Sequence, residues 1–154
     1  MPTQLKPSEV QAALIAALKA VLTSPIQVRG LTSRDITTDG NIIVVPPAVL
    51  VLLDAGEDAP APNALRLDYL STQRYLLLCG QRNLKDEDSE RGEALDLLAN
   101  VRDALAGLDM TIGDPGVEIA PIELGGFERF QFDANGTWYA QAVHVQERAQ
   151  FTPK

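Results

Sequence analysis

The stretch Arg74-Tyr75-Leu76-Leu77-Leu78-Cys79-Gly80-Gln81-Arg82 leads through Asp86-Glu87-Asp88-Ser89-Glu90 into Glu93-Ala94-Leu95-Asp96-Leu97-Leu98-Ala99-Asn100-Val101-Arg102-Asp103-Ala104-Leu105-Ala106-Gly107-Leu108. Its first part is a short, continuous apolar run of the kind a strand buried on both faces shows. The period then changes. Ala94, Leu97, Leu98, Val101, Leu105 and Leu108 recur at helical spacing and make one apolar stripe. Acidic residues from Asp86 to Glu90 sit at the helix start, where the macrodipole favours negative charge, and Gly107 stands near its end. A buried strand followed by an amphipathic helix sets the class as α+β.

Upstream, Ser8-Glu9-Val10-Gln11 matches a capping box, so a first helix is expected to start at Ser8. Val10, Ala13, Leu14, Ala17, Leu18, Val21 and Leu22 form its stripe, and Ser24-Pro25 ends it. Residues 26–28 and 42–45 read as short strands around a polar excursion with an Asp39-Gly40 turn. Pro46-Pro47 interrupts the ladder, and residues 48–53 begin a new strand. Residues 54–62, rich in Asp, Glu, Gly and Pro, read as a mobile acidic loop. Residues 65–70 and 74–82 look like antiparallel neighbours joined by Ser71-Thr72-Gln73.

Downstream, Val117, Ile119 and Pro121 begin a strand after a turn at residues 113–116, and Asn135-Gly136 marks a hairpin into the strand at residues 138–145. The expected architecture is a four- to five-stranded, mostly antiparallel sheet with two amphipathic helices packed on one face, in a single domain over residues 1–154. Because residues 48–53 and 75–79 are apolar on both sides, the second face also needs a cover. Loops of the same chain or a neighbouring subunit can supply it.

At 154 residues, the chain can bury about 70% of its unfolded surface without a staple. The lone Cys79 sits inside an apolar strand, where a thiol acts as a small hydrophobe, and a reducing compartment suits it. Residues 1–7 have no signal-peptide pattern, and no window reaches the ~18 apolar residues of a membrane helix. A soluble protein with no membrane role is expected. Thirteen basic against 21 acidic residues leave a net charge of −8, which opposes binding to a phosphate backbone. Such a surface lets DNA pass without sticking.

Candidate chemistry is sparse. His144 is the single histidine, and the sequence nominates neither a nucleophile nor a carboxylate to orient it. It reads as structural. An EF-hand loop beginning at Asp86 would need Gly and Glu where Arg91 and Leu97 stand, so the acidic run is not a calcium site. Gly125-Gly126-Phe127 leads into no helix with a following lysine and reads as a bulge or turn between strands. Trp138 and Tyr139 must point to opposite faces of their strand, one into the core and the other outward beside Phe127, Phe130 and Phe132. No enzyme, cofactor or metal site is expected.

The run from Arg74 to Asn83, the helix from Leu95 to Leu108 and the segment Gly136-Thr137-Trp138-Tyr139-Ala140-Gln141-Ala142 together resemble the Mu-like branch of phage tail terminator proteins. The opening helix and Pro47-Ala48-Val49-Leu50-Val51 extend the resemblance over most of the chain. No catalytic signature lies in it. The resemblance implies a virion protein, assembled in the host cytoplasm, that forms a homo-oligomeric, hexameric ring on the head-proximal end of a tail tube. Its implied partners are tail tube and sheath subunits and head or neck connector proteins, with DNA passing through the lumen unbound. The long stretches 29–41 and 54–63 depart from the shortest family pattern. On exposure and charge, the candidate contact or lumen residues are Asp54, Glu57, Asp58, Asp86, Asp88, Phe127, Phe130, Phe132 and Trp138. A head-completion or neck joining protein is the alternative, and an enzyme acting through His144 or Cys79 is the reading from a different class.

Overall fold

The computed structural model describes residues 4–60, 68–82, 87–113, 117–133 and 136–150. Element order is α1 (Pro7–Val21), β1 (Gln27–Gly30), β2 (Ala48–Pro60), β3 (Asp68–Gln81), α2 (Glu87–Leu105), β4 (Thr111–Ile112), β5 (Val117–Glu118), β6 (Glu123–Phe132) and β7 (Thr137–Gln150). The main sheet is five-stranded in the order β1-β2-β3-β7-β6, and β4-β5 forms a separate two-stranded ladder. Only the β1–β2 pairing in the main sheet is parallel. The α+β class with a mostly antiparallel sheet and two helices on one face is therefore the observed architecture.

Helix α1 buries Val10, Leu14 and Leu18, each one turn or so from the last; full burial of such a side chain contributes about 1.5–3 kcal/mol. The expected capping box at Ser8 is not formed. Pro7, whose fixed φ suits the first helical position, starts the helix one residue earlier, so Lys6 is the cap and Ser8 lies inside the first turn. Gln11 is thereby freed, and its Nε2 donates to Val51 O at 2.8 Å. In α2, Ala94, Leu97, Leu98, Val101 and Leu105 are buried as the stripe requires, and Gly107 takes φ +70 just beyond the last turn. Both stripes meet Val49, Val51, Tyr75, Leu77, Cys79, Val143 and Val145 on one sheet face.

The other face has its own small core of Ile42, Ala48, Leu50, Leu78, Trp138 and Ala140, flanked by Leu31, Val44 and Leu52. A loop of the same chain, between β1 and β2, supplies this cover. It resolves the expected strand at residues 42–45 differently: Ile42 makes a single bridge to Ile36. Ile42 is buried and Val44 half-buried while Ile43 and Val45 are exposed, so the chain alternates like a strand but lies across the sheet face rather than in its ladder. Asp35 fastens this loop. Its carboxylate accepts Arg29 Nη1 at 2.6 Å and Nη2 at 2.7 Å, and also the Thr32 backbone N–H at 2.7 Å.

Three further expectations are corrected. Residues 54–60 are not a loop, because β2 continues through a bulge after Leu53 and pairs with β3 as far as Pro60↔Tyr69; residues 61 and 62 lie outside the described part. Ser71-Thr72-Gln73 is not a hairpin link but the middle of β3, paired on both sides with β2 and β7; residues 65–67 lie outside the described part. The strand expected from Val117 is only the two-residue β5, and Pro121 follows it in a connection where Ile122 N–H donates to Leu108 O. In each long strand, flanking partners outweigh local turn propensity.

Candidate interaction surface

Two helices pack on one sheet face, and α2 reaches the last strand, β6, at Phe127. The register Phe127↔Gln141, Arg129↔Tyr139 and Phe132↔Thr137 puts these three β6 side chains on the helix-facing side. Phe127 and Phe132 are each 51% exposed. Beside them, Leu95, Leu98, Ala99, Arg102 and Asp103 of α2 complete a shallow groove of about 340 Å³. Arg102 lies over Phe127 with its Cζ 4.7 Å from the ring centre, and Arg129 stands over Phe132 at 6.0 Å. Such cation–π pairs contribute roughly 0.5–1 kcal/mol at exposed sites. Phe130, in the second β6 bulge, is exposed as well.

The β6 geometry has a local cause. Gln141, fully buried, donates from Nε2 to Gly125 O at 3.0 Å and Ala142 O at 2.7 Å, while its Oε1 accepts Arg102 Nη1 at 3.2 Å. One polar side chain thus satisfies the bulge at Gly125–Gly126 and orients the arginine over Phe127. The expected bulge at these glycines is present.

The opposite margin is acidic. β1 pairs with β2 only over Ala48–Val51, so beyond Leu53 the outer edge of β2 has no strand neighbour among the described residues. Glu57 and Asp58 are exposed there, and Asp54 is paired with Arg74 at 3.2 Å. Asp88 lies in α2, whereas Asp86 falls outside the described residues. Trp138 does not belong to any exposed surface. It is 1% exposed, because its indole fills the second core against Gly80. Tyr139 is not turned outward alone either; it is half-buried against the main core, since both sheet faces are covered at this strand.

Two polar recesses flank the projecting ends of β2, β3 and β7. In one, of about 190 Å³, Glu147 lies among Leu5, Asp58, Ser71 and Gln73. Glu147 Oε1 accepts the Leu5 N–H, Gln73 Nε2 donates to Leu5 O, and the Tyr75 hydroxyl donates to Gln73 Oε1 at 2.6 Å. This network ties the chain ahead of α1 to the sheet. Burial, opposed by the Leu5 N–H and aided by Asp58, raises the Glu147 pKa, and its Oε2 has no hydrogen-bond partner among the described residues. The other recess, of about 320 Å³, holds His144 with Glu57, Thr72, Glu123 and Gln146; Thr72 is the one hydroxyl among its described lining residues, and it accepts from Gln146 Nε2.

Cys79 is fully buried, and burial pushes its pKa up to about 12. Among the described residues no group of three His, Cys, Asp or Glu side chains is placed to hold a metal ion, and no helix is long and apolar enough to cross a membrane. The exposure expected of Phe127, Phe130 and Phe132 is present, whereas Arg102 and Gln141 were not nominated from the sequence. Their roles arise from pairing between distant elements.

No family model matches this chain, and no curated protein does. Among solved structures, a chain described as "Virion of native gene transfer agent (GTA) particle" shares the fold with a TM-score of 0.51 and 13% identity, covering 90% of this chain and 85% of that one. At that identity the likeness is one of fold.

Proposed function

We propose that this chain is a structural virion protein that caps the head-proximal end of a tail tube as a ring, stops tube polymerisation and offers the head or neck its attachment surface. The observation that carries this reading is the fold shared, over nine-tenths of the chain, with a chain of a gene transfer agent virion. The resemblance of the sequence to Mu-like tail terminators narrows the virion role to the tube end. An acidic chain with a net charge of −8 suits a lumen that conducts DNA without holding it. Surfaces at two different margins of one sheet suit a subunit that contacts neighbours on both sides.

The test is to mix the purified chain with polymerising tail-tube subunits of its own particle and image the tube ends by electron microscopy. A ring at one end with arrested growth is the expected result. Tubes that grow unchecked and carry no end density overturn the terminator reading; binding to purified head connector in the same series would then establish a neck joining protein.

A further inference from the structure

We propose that the recess beside Glu147 is a receptor for a primary alkylammonium group, the group that ends a lysine side chain or a small free amine. Strand register builds it. Asp58, Ser71 and Glu147 are partners in one row across β2, β3 and β7, so their side chains stand on the same sheet face. The next row on that face is Gly56, Gln73 and Val145. Gly56 carries no side chain, and the gap it leaves opens the recess of about 190 Å³. Leu5, Leu53 and Ala149 give it apolar walls.

The chemistry follows from Glu147. It is 5% exposed, and its Oε2 is buried with no hydrogen-bond partner among the described residues. Leaving such an oxygen unpaired is costly, and a donor that also carries positive charge offsets the cost best. Asp58, across Ser71 in the same row, adds negative potential, as its effect on Glu147 shows. Glu57 stands exposed at the rim. No described residue lining the recess is basic. Lys6, beside Leu5, is exposed and is not among them, and the Tyr75 hydroxyl is engaged with Gln73.

A metal ion suits the site poorly, because no three carboxylate, imidazole or thiol groups among the described residues converge. An ammonium needs one close carboxylate and neutral acceptors such as Ser71 Oγ, while its methylene stem suits the apolar walls. Oε2 is out of solvent contact, so the ligand reaches it by easing aside Gln4 and Leu5. The Leu5 carbonyl is held from the sheet by a long bond, Gln73 Nε2 to Leu5 O at 3.4 Å. Its amide, bonded to Glu147 Oε1, reports occupancy directly.

The experiment follows the Leu5 amide of the isotope-labelled full chain by NMR while butylammonium chloride is added at neutral pH and constant ionic strength. A saturable shift is expected. Glu147→Gln and, separately, Gly56→Leu should each weaken the affinity about tenfold or more. A Cβ at Gly56 meets nothing nearer than the Thr72 carbonyl oxygen at 3.9 Å, so this variant fills the recess without displacing the strand. The rest of the amide spectrum certifies that both variants fold. Affinity should also fall as the pH drops through the raised Glu147 pKa, since proton and ammonium compete for one carboxylate. Tetramethylammonium has the charge but no N–H, and should give no saturable shift. An equal response to tetramethylammonium, undiminished affinity in either variant, or no saturable shift at all overturns the proposal. Tighter binding of acetyl-lysine methylamide than of diaminobutane assigns the site to a protein's lysine; the reverse order assigns it to a free polyamine. The virion reading is not needed for this site, and neither result bears on it.

Discussion

Gly80 and Trp138 are register partners across β3 and β7, and the indole lies so close over the glycine that a Cβ there would overlap the ring. The small residue is what lets a large aromatic lie flat against the sheet and fill the second core. Gly80→Ala should therefore destabilise the fold by about 1–3 kcal/mol, the usual cost of overpacking. The single tryptophan reports the change directly: urea unfolding followed by its fluorescence should show a lower midpoint, and an unchanged midpoint would contradict the packing described.

Asp35 anchors the loop that covers that core. Hydrogen bonds from Arg29, then from the Thr32 backbone and hydroxyl, hold its carboxyl well below the usual carboxylate range against the opposing effect of burial. A depressed folded pKa gives stability that is present above the unfolded value of about 3.9 and lost as the pH falls through the folded one. Asp35→Asn should cost about 1–3 kcal/mol at neutral pH, with Arg29 partly exposed and its share screened. Thermal unfolding across pH checks it: the gap between variant and parent should close as the pH drops below 4.

Glu147 works in the opposite sense. Its folded pKa is raised by burial, so the protonated form is favoured on folding and stability falls as the pH rises from the unfolded value through the folded one. Glu147→Gln keeps an oxygen for the Leu5 N–H and removes the charge. The variant should gain on the parent by on the order of 1 kcal/mol at neutral pH and lose that advantage in acid. Equal stability differences at both pH values would rule out a buried, charge-penalised carboxyl.

Cys79 should be chemically silent in the native state. Thiolate is the reactive form, and burial holds the pKa near 12. Reaction with a disulfide reagent should follow global unfolding, accelerating with denaturant in step with the loss of tryptophan signal. Rapid labelling without denaturant would show an open path to β3.

Much of this was legible in local pattern. The stripes of α1 and α2, the buried run of β3 and the hairpin into β7 follow from periods of about 3.6 and 2 residues, and each element is found where its pattern lies. The exposure expected of Phe127, Phe130 and Phe132 is present, but the second bulge, between Arg129 and Gln131, was not expected from the sequence. Glu57 and Asp58 were recognised as exposed acids but given the wrong backbone. Their Gly and Pro neighbours signal a turn, and nothing local says that β3 lies alongside to pair with them.

By itself, then, the sequence determined the class, the two helix faces, the buried thiol and the acidic charge, since each depends on residue type and short-range spacing. Tertiary structure alone decided that one loop closes the second face, that Trp138 is hidden beneath Gly80 while Phe127 stays half-exposed under Arg102, and that β2 outruns β1. These are outcomes of which strands become neighbours. Pairing is settled by the summed burial and hydrogen bonding of segments far apart in the chain, which no local window contains.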